Sequence, residues 1–133
     1  MQRITVQSTI RKEFVDITEQ LRQEVRDAGW QNGVLLLFNP HTTAGLTINE
    51  GADPDVRRDI LAALTRLVPD DGDYHHAEGN SDAHIKASLT GSSVLVPIQA
   101  GRLALGRWQS VFFCEYDGPR TRHVWLQFIA DTQ

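Results

Sequence analysis

Hydrophobic and polar residues alternate at the start of the chain. Ile4, Val6 and Ile10 are separated by polar positions, a period of two that predicts an opening strand. The period then changes: Ile17, Leu21 and Val25 recur every fourth residue, placing one apolar stripe on a helix over about Ile17–Ala28. Asp16 and Glu19 have capping-box spacing, and Gly29 stands where a C′ stop belongs. Val34–Phe38 is apolar throughout, the pattern of a strand covered on both faces. After Asn39-Pro40 and His41, Gly45–Asn49 alternates again. Leu46 and Ile48 point to the core, and His41, Thr43, Thr47 and Asn49 share the other face if the strand is regular that far.

Asp53 reads as the N-cap of a second helix, with Pro54 at N1, where its missing N–H costs nothing. Val56, Ile60, Leu64 and Leu67 form its buried stripe, Arg57, Arg58 and Asp59 face out, and Val68-Pro69 ends it. Asp70–Asp82 is an acidic, glycine-containing loop without lysine or arginine. Asp82 caps a short third helix, Ala83–Thr90, which Gly91 stops. The rest reads as strands over Ser92–Gln99, Leu103–Tyr116 and Arg122–Ala130, with turns at Ala100-Gly101-Arg102 and Asp117–Arg120 and a bulge at Gly106. Strands, helix, strands, helices, strands is the order of an α+β fold with a mainly antiparallel sheet. Trp30, Trp108 and Trp125 are core residues by default, with a subunit interface as the alternative.

Length and charge narrow the function classes. A chain of 133 residues fits one domain, taken as 1–133. A net charge of −4 argues against nucleic acid, whose phosphates demand a basic surface. No apolar run approaches the roughly 20 residues of a membrane span, and MQRITVQSTI lacks a signal-peptide core. One cysteine, Cys114, excludes an internal disulfide, so a cytoplasmic protein is expected. Acids dominate residues 50–82, whereas Lys86, Arg102, Arg107, Arg120 and Arg122 dominate residues 83–123. Two such regions facing each other would place a metal beside a phosphate; solvated faces are the alternative.

His41, His76 and His84 are the metal candidates, because three imidazoles with an open fourth position are a common catalytic zinc arrangement. His75 is the substitute for His76, and His123, alternating within a strand, reads as structural. His84 lies in the first turn of its helix, where the positive helix end favours neutral imidazole. Glu50 is placed to act as a general base or to orient a histidine, or simply to precede the second helix. Asn80 and Ser81 are ligand hydrogen-bonders or plain loop residues. Arg120 and Arg122 either clamp a phosphate or decorate an exposed hairpin end. Cys114 alternates with Phe112 and Tyr116, which makes it a buried, inert thiol. The chain has no phosphate-binding Walker loop, dinucleotide fingerprint or G-x-S-x-G elbow.

Four segments in order carry a resemblance: HTTAGLTINEGADPDVRRDI, DYHHAEGNSDAHIKASLTGSS, LALGRWQ and EYDGPRTR. Together they resemble the YjbQ family, also called the secondary thiamine-phosphate synthase family, over nearly the whole chain. The resemblance implies an α+β sandwich with about three helices, packed as a homotrimer around a threefold axis. It places family polar positions on His41, Thr43, Asn49, Glu50, Asp53, Asp55, His76, His84, Lys86, Gln109 and Arg120. The transferase activity it implies joins a hydroxymethylpyrimidine diphosphate to a thiazole phosphate. On that reading His41, Glu50 and His84 are catalytic, and Thr43, Asn49, Lys86, Arg120 and Arg122 bind substrate. His41, His76 and His84 would hold a divalent metal, Zn or Mg. The alternatives are a metal-dependent hydrolase with Glu50 as base and a non-catalytic metal- or ligand-binding trimer.

Overall fold

The computed structural model describes residues 1–132. The strands are β1 (Gln2–Gln7), β2 (Glu13–Asp16), β3 (Gly33–Phe38), β4 (Ala44–Glu50), β5 (Ser93–Gln99), β6 (Arg102–Leu103), β7 (Gln109–Glu115) and β8 (Thr121–Ala130). The helices are α1 (Thr18–Ala28), α2 (Pro54–Leu67) and α3 (Ser81–Thr90). One sheet has the order β1-β8-β3-β5-β6, the other β2-β7-β4, and every pairing is antiparallel. This is the expected α+β architecture. No helix among the described residues is long and apolar enough to cross a membrane.

The two sheets face each other across a core. Ile4, Val6, Leu35, Leu37, Val96, Val124 and Leu126 come from the larger sheet, and Ala44, Leu46, Val111 and Phe113 from the smaller. The α1 stripe, Leu21 and Val25, joins the same core, with Ile17 just before it. The opposite face of the smaller sheet presents Phe14, Phe112, Cys114 and Tyr116 to the helices. Ala83 and Ala87 of α3 and Ile60, Leu61 and Leu64 of α2 cover it. Apolar contacts on both faces explain why β7 is hydrophobic almost without interruption.

Several sequence expectations are corrected. Leu103–Tyr116 is two strands in different sheets, because the chain turns at Gly106, whose N–H donates to Gln109 Oε1. The strand Glu13–Asp16 is too short to show a readable period. Asp16 does help to start α1, accepting from the Thr18 N–H, but Glu19 pairs with Arg22 and makes no capping box. Leu67 is exposed, and α2 rests on the sheet only through half-buried side chains. Arg57 does not face out; its guanidinium lies 4.8 Å from the centre of the Phe112 ring. Asp53 caps α2 as expected, through the Asp55 N–H.

The start of α3 differs most. Its N-cap is Asn80, not Asp82. Asp82 lies inside the helix, fully buried, and pairs with the equally buried Lys86 one turn on at 2.8 Å. Arg11 reaches Asp82, and Arg11, Lys12 and Lys86 all reach Asp70. The acids at either end of the 70–82 segment are thus neutralised by cations from the β1–β2 connection and from α3. Of the basic region 83–123, Lys86 therefore meets these two acids directly, as ion pairs. At its other end α3 packs closely on β4: a side chain at Gly45 would come within 2.2 Å of Thr90 Oγ1 and 3.1 Å of the Gly91 carbonyl. Only glycine allows that approach, and it fixes where α3 presents His84.

Candidate functional site

The polar end of the sandwich is closed by one buried ion pair. Glu115 ends β7, fully buried, and Arg122 stands near the start of β8. The Arg122 guanidinium binds Glu115 with two N–H groups, Nε donating to Oε1 at 2.9 Å and Nη2 to Oε2. Nη2 also donates to Thr43 Oγ1 at 2.9 Å, tying in the loop before β4. Ser8 Oγ donates to Glu115 Oε1 at 2.7 Å and accepts from the Arg120 N–H at 2.8 Å. Burial pushes the Glu115 carboxyl up, but hydrogen bonds from Arg122 and Ser8 outweigh it and hold the group below the usual carboxylate range.

Against this bolt lies a cavity of about 310 Å³. Thr42 and Thr43 form one wall, His76, Glu78, Asn80 and His84 another, and Asp117, Arg120 and Arg122 the third. The His76 and His84 rings meet edge to face, with centroids 5.4 Å apart. Two further cavities share His84. One of about 450 Å³ runs along Tyr74–His76 and Ile85, and one of about 440 Å³ runs along Phe38–Thr42 and Ser88. His84 is therefore the residue at which three surface depressions join.

The predicted residues divide clearly. His76, His84, Thr43, Arg120 and Arg122 line the 310 Å³ cavity. Arg120 keeps the more available guanidinium: it donates to the Asp117 main-chain oxygen at 2.7 Å and to Asp117 Oδ2 at 3.1 Å, yet stays largely exposed. Arg122 is a wall whose charge is already committed to Glu115. His41 stands one cavity away, where it shares a lining with His84. The His123 main-chain N–H donates to His41 Nε2 at 2.9 Å, so the neutral ring carries its proton on Nδ1 and has no free lone pair. Burial first, then the nearby Arg122 charge, lower the His41 pKa and favour that neutral form.

Three predicted residues stand apart. Lys86 is fully buried against Asp82 and Asp70 and cannot touch a substrate from there. Asn49 and Glu50 lie at the far end of β4 from Ala44, roughly 20 Å along the strand. There the Asn49 side chain accepts from the Glu50 N–H, and Glu50 accepts from the Ala52 N–H. Within one chain Glu50 cannot serve as base to the histidines. Among the described residues no three His, Cys, Asp or Glu side chains are grouped closely enough to hold a metal ion. With the His41 lone pair also used, the three imidazoles do not fit a single-chain metal set. Cys114 is buried, and burial pushes its thiol up to about 12, as an inert core cysteine requires.

Glu78 and Asp117 were not picked out in the sequence. Asp117 sits in a segment readable only as a turn, and Glu78 in an acidic loop with no periodicity. The role of Asp117 depends on Arg120 and Asn80 folding back onto it, and Glu78 approaches His76 Nε2 at 3.8 Å; no local spacing shows the Asp117 contacts.

A model of the family described as "UPF0047 protein YjbQ-like" matches residues 2–131. The chain is 44% identical over 126 residues to the UPF0047 protein MJ1081 of Methanocaldococcus jannaschii, covering 95% of this chain and 91% of that protein. It is 42% identical over 128 residues to the UPF0047 protein YugU of Bacillus subtilis, covering 96% and 97%. Among solved structures, a yjbq/upf0047 family protein of Clostridium acetobutylicum superposes with a TM-score of 0.93 at 49% identity, covering 97% of this chain and 100% of that one. A conserved hypothetical protein of Thermus thermophilus superposes with a TM-score of 0.91 at 45% identity, with the same coverage.

The ionic contacts set the response to acid. Burial raises the Asp70 carboxyl, but Lys12 and Lys86 outweigh it and lower its pKa from 3.8 to about 2. Glu115 is shifted the same way. A lowered folded-state pKa gives stability that is present above the unfolded value and lost as pH falls toward the folded one. The urea midpoint should therefore drop between about pH 4 and pH 2. Asp70→Asn should be less stable at neutral pH and lose part of that slope; an unchanged slope would show that the Lys12 and Lys86 contacts do not form in solution.

Proposed function

The chain belongs to the UPF0047 YjbQ-like family, and from its site we propose that it is an enzyme acting on a small phosphorylated substrate. The observation that carries this reading is the exposed Arg120 facing His76 and His84 across one cavity. A guanidinium donates to two phosphate oxygens at once, and an adjacent imidazole donates or accepts a proton at the same group. The specific reaction is the one the resemblance implies, thiamine-phosphate synthesis. The thiazole nitrogen attacks the pyrimidine's methylene carbon, the carbon–oxygen bond breaks, and its electron pair leaves with diphosphate. Arg120 stabilises charge on that leaving group, and His84 donates to its oxygens. Thr42 and Thr43 form the opposite wall and orient the substrate. A cytoplasmic location goes with this substrate class and with a single buried free thiol.

We further propose self-association, as a homotrimer. Part of the outer face of the larger sheet, along β3 and its neighbours, is apolar. Phe38 stacks on Trp125 at 5.7 Å, Val34 pairs with Ile129, and Leu36 pairs with Leu95. Leu95 and Ile129 remain more than half exposed. A contiguous patch of this kind on a small protein marks a contact surface.

His84→Ala should lower turnover of pyrimidine diphosphate with thiazole phosphate by about 10²-fold or more while the melting temperature holds. Unchanged turnover would remove His84 from the mechanism. Light scattering on the intact protein should give a trimer mass, and Leu95→Lys should reduce it to the monomer. A monomeric wild type, or a trimer indifferent to Leu95→Lys, would exclude this sheet face as the interface.

A further inference from the structure

Asn80 occupies the N-cap of α3, but its side chain makes no cap hydrogen bond. Its main-chain oxygen carries the helix start instead, accepting from the Ala83 N–H at 3.0 Å and the His84 N–H at 3.4 Å. The side chain turns the other way, and Nδ2 donates to Asp117 Oδ2 at 2.9 Å. A carboxylate only accepts, so this contact fixes the amide orientation: the NH₂ faces Asp117 and the oxygen faces away from it. The residue is only 8% exposed, and Oδ1 is buried with no hydrogen-bond partner. Buried amide oxygens are nearly always satisfied, so an unsatisfied one on a residue that lines a cavity calls for a partner group that the protein does not itself supply.

The surroundings say what that group is. Asp117 Oδ2 accepts from both Asn80 Nδ2 and Arg120 Nη2, so one carboxylate orients the acceptor and the cation together. Asn80, Arg120 and His84 line the same cavity. We propose that Asn80 determines specificity in this cavity, its side-chain oxygen accepting a hydrogen bond from a hydroxyl or amino group on the same small molecule whose phosphate Arg120 binds. This rests on the phosphate reading above and adds a second requirement to it. The preferred ligand class is a phosphorylated compound bearing a neutral hydrogen-bond donor a few bonds from the phosphate; a bare alkyl phosphate satisfies only half of the site.

Calorimetric titration of the intact protein with hydroxyalkyl phosphates of two, three and four carbons tests this, each compared with the alkyl phosphate of equal length. At least one hydroxylated compound should bind about fivefold more tightly than its alkyl partner. Asn80→Ala and Asn80→Gly should abolish that preference, each hydroxylated compound then binding within about twofold of its alkyl partner. Because the native side chain gives α3 no cap bond, and glycine is well tolerated at an N-cap, the second variant keeps the helix start intact. A wild type with no preference at any length, or a preference that survives both substitutions, overturns the assignment to Asn80 alone. Absence of binding by every compound is a different result: it overturns the phosphate site itself and the Asn80 contact with it.

Discussion

Glu115, fully buried, and Arg122, nearly so, meet at the polar end of the sandwich, which is built around them. Taking both charges out of water is costly, and a two-pronged contact with further hydrogen bonds offsets that cost. Here Ser8, Thr43 and the Asp117 N–H supply those bonds, drawn from three separate stretches of chain. Removing one partner would leave the other buried and unpaired, which typically costs about 3–5 kcal/mol. The pair therefore fixes the Thr42–Thr43 wall relative to the turn that carries Asp117 and Arg120. Its charge is spent on this task, which leaves Arg120 as the available guanidinium of the cavity.

A second ionic group performs a similar task for the opposite wall. Lys86 and Asp82 inside α3, together with Asp70, Arg11 and Lys12, hold the segment that ends in His76 and Asn80. Gly45 lets the other end of α3 lie close against β4. His84 thus stands on a helix fixed at both ends, while Arg120 stands on a turn fixed by Ser8 and Asp117. The histidines and the arginine face each other because two charge clusters, the buried Glu115–Arg122 pair and the partly exposed group around Lys86, place their supports. Neither cluster is itself the reacting group.

Much of this was legible in the sequence. The period-four stripe of α1, the Asp53-Pro54 start of α2 and the alternation of β8 are strong local signals, and they gave the elements and the class. His76, His84, Thr43 and Arg120 were chosen for their chemistry and do line one cavity. What the sequence leaves open has a physical cause. Lys86 and Arg122 look like available cations in one dimension, which does not show that their charges are paired in the interior. Asp82 was read as a cap because a capping aspartate and a buried i,i+4 partner of lysine look alike in one dimension. Glu50 and His41 look like neighbours at nine positions' spacing, although most of that interval is an extended strand that carries them apart. Gly106 reads as a bulge because Leu103–Leu105 and Val111–Cys114 look like parts of one apolar strand, whereas the chain moves from one sheet to the other between them.

The cationic hollow at the end of α1 is a useful rival. It is larger, about 720 Å³, and is lined by Arg22, Arg26, Arg102 and Trp30, with none of the histidines. A structure of the protein crystallised with pyrophosphate would compare the two sites directly. The arrangement described here predicts pyrophosphate between Arg120 and His84, with the Glu115–Arg122 pair undisturbed behind it. Pyrophosphate bound only among Arg22, Arg26 and Arg102 would contradict it.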